Sequence, residues 1–279
     1  MKSCNFSVCF ALCLLFYSSG LWGQNLFDSL NTAKYADFLF LSANYREAIE
    51  EYERLVFTYE AGHDMKLRLV KAYRLAGEPL LAANRLNSLW ANPETVSQHV
   101  SRELFALKVI NNNFHELDHS VERNTLLSPE EKLFFRSSSA LFQEDYIKAH
   151  TILNQPPPLS SNALSAYRSI TNDALSQTYK SPLLSGIMSA AIPGSGKMYA
   201  GNWEDGLLSL SIVGVSAWQA YRGFEKHGTN SIYGWIYSAI SGAFYIGNIY
   251  GSVKETNRYN QQKKSRIKIR VEAVFFNNL

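Results

Sequence analysis

After Cys13 the chain contains no cysteine. All three cysteines, Cys4, Cys9 and Cys13, fall at the start of the 279 residues, in a stretch laid out like a secretory signal. It has Lys2, an apolar core from Val8 to Tyr17, the small residues Ser18, Ser19 and Gly20, and a cleavage position after Gly23. The expected mature chain begins near Gln24, is exported, and has no thiol, which excludes disulfides, cysteine nucleophiles and thiolate metal sites. Cys13 is followed by Leu14-Leu15-Phe16-Tyr17, so the apolar core runs through it and a lipid anchor is not expected. An uncleaved anchor helix is the alternative, and it leaves the remainder on the same exported side.

A charge excess of either sign is also missing. The formal net charge is +3, or +2 once Lys2 is removed, too little for wholesale nucleic-acid binding, so no nucleic-acid partner is expected. Catalytic patterns are sparse. Gly194-Ser195-Gly196-Lys197 has Ala191 where a phosphate loop needs its first glycine and Met198 where it needs Ser or Thr. Ser195 has no His or Asp at motif spacing and no strand is expected before it. His63, His99, His150 and His227 are scattered without ligand spacing. Glu50-Glu51 and Glu130-Glu131 read as solvated charges on helices.

One pattern carries chemistry. His115-Glu116-Leu117-Asp118-His119 matches His-Glu-x-x-His, in which two histidines one helical turn apart bind zinc and the glutamate acts as general base. The residues that follow supply neither the glycine nor the third histidine of the extended motif, and Asp118 puts a charge inside it. The preferred reading is two polar-face residues, with no cofactor. A zinc hydrolase using His115, Glu116 and His119 is the alternative.

Over residues 30–153 apolar positions recur at helical spacing with few strand signals. Ala43-Asn44-Tyr45-Arg46-Glu47-Ala48-Ile49-Glu50-Glu51-Tyr52 resembles the interhelical turn and second helix of a tetratricopeptide repeat. Ala48 to Ala82 is a step of 34 residues, the period of that family. Gly77 then aligns with Ala43 and Leu86 with Tyr52. A weaker copy puts Phe114 at the Tyr45 position and Leu117 at the small-residue position. A clearer one has Glu144-Asp145-Tyr146-Ile147-Lys148-Ala149. Four helical pairs are expected, with Ala48, Ala82 and Ala149 small where paired helices cross. Tyr45, Tyr52, Tyr73 and Tyr146 are the candidate packing or concave-face residues. The Trp-x-x-Leu-Gly opening of the family is absent from every copy. Such a solenoid implies binding of an extended peptide or partner helix.

The last third is apolar. Ile232 to Tyr250 has no charge over 19 positions, near the roughly 20 residues a spanning helix needs. Leu207 to Tyr221 covers 15, about 22 Å of helix against a hydrocarbon core of about 30 Å. Ala239, Ala243, Gly247 and Gly251 recur every fourth residue as a candidate helix-packing stripe. Pro182 to Pro193 is apolar over 12 residues and fits a re-entrant or interfacial helix.

Together Ser181-Pro182, Pro193-Gly194-Ser195-Gly196-Lys197, Tyr199-Ala200-Gly201, Asp205-Gly206, Phe244-Tyr245, Gly247 to Gly251 and Tyr259-Asn260 resemble a group of uncharacterised bacterial membrane proteins. These share a Pro-Gly-x-Gly-x-x-Tyr-x-Gly loop before a hydrophobic hairpin. The resemblance covers residues 180–260, implies a membrane protein, and supplies no activity. It marks Pro193, Gly194, Gly196, Tyr199 and Gly201 as membrane-loop residues, the glycines read as a tight turn at the bilayer surface.

Lys254, Arg258, Lys263, Lys264, Arg266, Lys268 and Arg270 form a basic tail, either on anionic headgroups or solvated. In it, Arg266 to Ala273 alternates charged and apolar residues and predicts one strand. The expected whole is an all-α protein: signal peptide 1–23, tetratricopeptide-like solenoid 24–153, Pro-rich spacer and linking helix 154–180, transmembrane hairpin with its preceding segment 181–251, and tail 252–279. It is placed in a bacterial envelope with the repeats in the periplasm and the inner membrane favoured. Its partners are a protein or peptide and membrane lipid, and self-assembly through the repeats is a third class of function.

Overall fold

One backbone turn recurs four times along the chain. Ala43, Gly77, Asn112 and Glu144 all take left-handed conformations, with φ of 59°, 84°, 55° and 57°. In each case that residue's N–H donates to the carbonyl three residues back, and the next N–H donates to the carbonyl five back. Ala43 and Asn44 reach Phe40 and Leu39, and Glu144 and Asp145 reach Leu141 and Ala140. This closes a helix with its last carbonyls satisfied and reverses the chain. Ala43 and Gly77 are the pair aligned in the sequence at the interhelical turn, Glu144 opens the clearer later copy, and Asn112 lies two residues before Phe114 of the weaker one.

The computed structural model describes residues 28–59, 61–155 and 161–279, and no strand occurs among them. The expected signal segment, residues 1–23, and the proline run, residues 156–158, lie outside the described residues. The fold divides into two compact units, one ending at Asn113 and one running from Phe114 to Leu279.

In the first unit α1 (Ser29–Leu41) pairs with α2 (Tyr45–Tyr59), and α3 (His63–Leu75) with α4 (Pro79–Leu89). The short α5 (Pro93–Val96) leads into α6 (Gln98–Ile110). Asp28 and Ser97 cap α1 and α6 by accepting from Asn31 and Val100 N–H groups at 2.6 and 3.3 Å. Ala48 and Ala82 have no exposed surface, as expected where a methyl group lets two helices approach. Tyr52, Leu55, Leu69 and Ala72 fill one core, and Leu86, Trp90, Val100 and Leu107 another. Between α3 and α6 the Arg74 guanidinium grips both Glu103 oxygens, at 2.5 and 3.3 Å. This two-pronged pairing satisfies charges that burial would otherwise penalise.

The second unit holds α7 (Leu117–Arg123), α8 (Pro129–Phe142), α9 (Tyr146–Leu153), α10 (Asn162–Leu175), α11 (Pro182–Ala191), α12 (Ser195–Ala200), α13 (Trp203–His227) and α14 (Ile232–Phe276). A capping box opens α8, Ser128 and Glu131 each accepting the other's backbone N–H. Ala149 of α9 is fully buried, the third small crossing residue in place. The copy around Leu117 departs from the pattern. Glu116 adds a second left-handed residue, φ 57°, and α7 starts three residues later than the alignment implies.

α14 contains 45 residues, about 67 Å at 1.5 Å per residue. It overturns the expected strand at Arg266–Ala273 and the separate basic tail. Ile267, Val271 and Phe275 are four residues apart and buried, so the alternating segment also carries a helical stripe. With Lys, Arg, Glu and Ala at its other positions except Ile269, and no strand to pair with among the described residues, helix wins. The stripe docks on α8 and α10, where the Phe275 ring stacks on Phe134 at 5.8 Å and meets Phe142 edge-on at 5.1 Å. Arg270 donates to Asp173 at 2.7 Å, and Lys263 to the Thr178 carbonyl at 3.0 Å.

No helix among the described residues is long and apolar enough to cross a membrane, so the two expected crossings lack that support. Tyr, Trp, Gly and Ser dilute both apolar runs, and Asn248 the second. What α11, α13 and the first half of α14 show instead is inverted polarity. Their buried positions, Val213 apart, are small or polar: Ser185, Gly186 and Ser189 in α11, Gly206, Ser209, Ser216, Ala220 and Gly223 in α13, and Gly234, Asn248 and Ser252 in α14. Their exposed positions include Ile187, Val215, Trp218, Ile236 and Ile246, the last 69% exposed.

Candidate functional site

The loop that the resemblance singled out is an interior junction of the second unit. Gly194, at φ 88°, would bring a Cβ to 2.0 Å from the Gly206 carbonyl oxygen, and Gly196 to 2.0 Å from that of Ser185. Only hydrogen fits at either place, so these glycines serve close helix approach as well as turning the chain. Gly201, at φ 102°, ends α12. Pro193 is half-buried just before the turn.

Hydroxyls knit the junction. The Gly196 N–H donates to Ser189 Oγ at 3.0 Å, Ser189 and Ser252 hydroxyls meet at 2.6 Å, and Ser185 Oγ reaches the carbonyls of Gly196 and Ser252, both at 3.0 Å. Tyr199 accepts the Ser181 N–H at 3.2 Å, while its carbonyl takes the Lys180 ammonium at 2.6 Å. Lys180 is clasped at its backbone by the Asn260 amide, at 3.0 and 2.8 Å. Bonded by the Lys263 ammonium and close to Lys180, the Tyr259 phenol is held below its ordinary range. Residues spread over 80 positions of sequence thus meet in one place, and Ser181, Gly196, Tyr199, Tyr259 and Asn260 among them belong to the resembling motif.

The candidate packing stripe is placed differently. Ala239, Ala243 and Gly247 are exposed, and Gly251 is only half-buried against the Lys197 side chain. The face that packs runs through Asn248, Ser252 and Thr256. Both faces are built of small residues, and the second also offers hydroxyls that bond back to the helix carbonyls. Sequence reasoning counted size alone and missed Ser185, Ser189, Asn248 and Ser252. The signal was available as hydroxyls at intervals of four within an apolar run.

The candidate packing or concave-face tyrosines are mostly structural. Tyr52 has no exposed surface and donates to Asp37 at 2.6 Å. Burial, then that carboxylate, pushes its phenol well up. Asp37 also pairs with Arg68. Tyr73 donates to Glu53 at 3.1 Å, and Tyr45 meets Phe40 edge-on at 5.6 Å. Tyr146 is half-buried, its phenol pushed up to about 12 by burial and then by Glu144. Tyr52 is therefore withdrawn from any partner.

The first unit does contain a groove between α4 and α6, about 570 Å3, lined by Leu80, Asn84, Asn87, Leu104, Asn111 and Asn113 among others. Asn84, Asn87 and Asn113 are exposed, whereas Asn111 already donates to the Pro79 carbonyl at 3.0 Å. Free carboxamides each offer a donor pair and an acceptor, the complement of a peptide unit.

The His-Glu-x-x-His reading loses its geometry. His115 and Glu116 precede α7, with Glu116 left-handed, so His115 and His119 do not share one helical face. His115, Glu116 and His119 are exposed, and Asp118 pairs with Lys148 at 2.5 Å. Among the described residues no group of three His, Cys, Asp or Glu side chains is placed to hold a metal ion. Comparison with protein-family models, with curated proteins and with solved structures finds no match.

Proposed function

We propose that the chain is a non-catalytic scaffold: exported, held at the inner membrane of a bacterial envelope by α11 to α14, and binding an extended peptide segment of a protein partner through its helical repeats. The observation that carries the membrane half is the inverted polarity of the second unit. In water a helix cluster buries its large apolar side chains, and one that exposes Val215, Trp218, Ile236 and Ile246 while burying serines and glycines suits lipid. Mean hydropathy along one helix averages an outer apolar face with an inner polar one. A hairpin whose hydroxyls are covered by α11 and α12 needs only the outer face to be apolar, so α13 and α14 enter the bilayer together with these neighbours.

Support for the peptide half comes from the asparagine-lined groove, whose amides match a backbone and whose Leu80 and Leu104 suit an apolar side chain. A photo-cross-linker at Asn87 in producing cells should give one discrete higher-mass adduct, and the same probe at Glu50 none. Equal, diffuse labelling at both positions would dismiss the groove as a binding site. Sedimentation of the chain in alkaline carbonate tests the membrane half separately: full release into the supernatant refutes it.

A further inference from the structure

A buried carboxamide in α14 has nothing to bond to. Asn248 is 4% exposed, and neither its Oδ1 nor its Nδ2 meets a hydrogen-bond partner. Buried polar atoms are nearly always satisfied, so an orphan of this kind marks a place for a group from outside the chain. Asn248 lines a cavity of about 390 Å3 between α13 and α14, within the range of about 300–1,000 Å3 common for small-molecule sites.

The lining is chemically mixed: Lys197, Asp205, Ser209 and Asn248 share the cavity with Leu208, Ile212 and Phe244. Lys197 spends one ammonium proton on Ser209 Oγ at 2.9 Å and keeps two. Asp205 accepts at Oδ2 from the Asn202 side chain at 2.8 Å and retains acceptor capacity. Gly247 lines the cavity, and a Cβ there would meet nothing within 4 Å. One cation, one carboxylate and an amide among apolar side chains call for a zwitterion with a hydrocarbon chain.

We propose that this cavity binds an aminophospholipid. Its phosphate accepts from the Lys197 ammonium and the Asn248 amide N–H. Its primary ammonium donates to Asp205 and to Asn248 Oδ1, and an acyl chain lies against Leu208, Ile212 and Phe244. The charges balance, so an ethanolamine headgroup is preferred over an anionic glycerol one. It is also preferred over choline, whose quaternary nitrogen has no N–H to give. The proposal rests on the reading that α11 to α14 face lipid.

Native mass spectrometry of the full chain in detergent, titrated with phosphatidylethanolamine, phosphatidylglycerol and phosphatidylcholine of matched chains, tests it. One ethanolamine lipid per chain is expected, with at least fivefold preference over the other two. Lys197→Met should weaken retention about tenfold. Gly247→Leu, which fills the cavity, should abolish it without lowering the melting temperature, and Asn248→Leu should abolish it while raising the melting temperature of the lipid-free chain. Equal retention by Gly247→Leu, or equal binding of all three lipids, overturns the site. Displacement by O-phosphoethanolamine at the affinity of the intact lipid overturns the lipid assignment in favour of a soluble phosphate ester. Vesicle flotation of the wild type separates the failures: a chain that floats but keeps no lipid refutes the site alone, and one that does not float refutes the membrane reading.

Discussion

At the residue scale the four interhelical turns carry the clearest energetic signature. Three of them hold a side chain in a left-handed conformation that costs an L-residue roughly 1–2 kcal/mol, at Ala43, Asn112 and Glu144, and only Gly77 avoids the strain. Ala43→Gly and Glu144→Gly should each stabilise the fold by about 1 kcal/mol, while Gly77→Ala, whose Cβ meets nothing, should lose a similar amount through backbone strain alone. Thermal unfolding followed by circular dichroism checks the signs, and a stabilising Gly77→Ala would refute this account. Tyr52 and Tyr167 give a pH dependence. Burial pushes both phenols well above their ordinary value, in Tyr52 with help from Asp37. A raised native pKa favours the protonated form. The stability it contributes is therefore complete below the unfolded value of about 10 and is lost as pH climbs from there through the native value. Melting temperatures should fall steeply above pH 10, and Tyr167→Phe should flatten part of that fall. The turn positions and Ala48, Ala82 and Ala149 were legible in the sequence because steric demand leaves a repeated residue pattern. Asn248 was not, because an orphaned amide looks like any polar residue until its surroundings are known.

At the element scale the long C-terminal helix was the least legible part. Alternation from Arg266 to Ala273 suits a strand, and Ile267, Val271 and Phe275 suit a helix equally well. The decision lies in α8, which presents Phe134 and Phe142 to that stripe from more than a hundred residues away in sequence. Phe275→Ala should cost about 3–5 kcal/mol of local stability. Amide hydrogen exchange should then quicken over residues 263–276 and stay unchanged over 232–250. Uniform acceleration along α14 would mean that its two halves form one cooperative unit. The His-Glu-x-x-His pattern fails at the same scale, since three residues of matching identity need a helix beneath them and Glu116 interrupts it.

At the scale of the whole molecule, the distribution of polarity decides behaviour. Val215→Lys and Ile236→Lys each place a charge on an outward face that is apolar in the wild type. At depth in a bilayer such a charge costs about 2.5–3.5 kcal/mol on insertion scales, so either substitution should reduce vesicle flotation by tenfold or more. Ile147→Lys, on an exposed side chain of α9, should leave flotation unchanged. Loss of flotation with Ile147→Lys as well would point to general misfolding. The uninterrupted course of α14 has a mechanical consequence. Its first half packs along α13, its last turns dock on the aromatic seat on α8, and Asn260 between them bonds the Lys180 backbone, so one unbroken rod of about 67 Å ties the hairpin to the helices that precede it without an intervening linker.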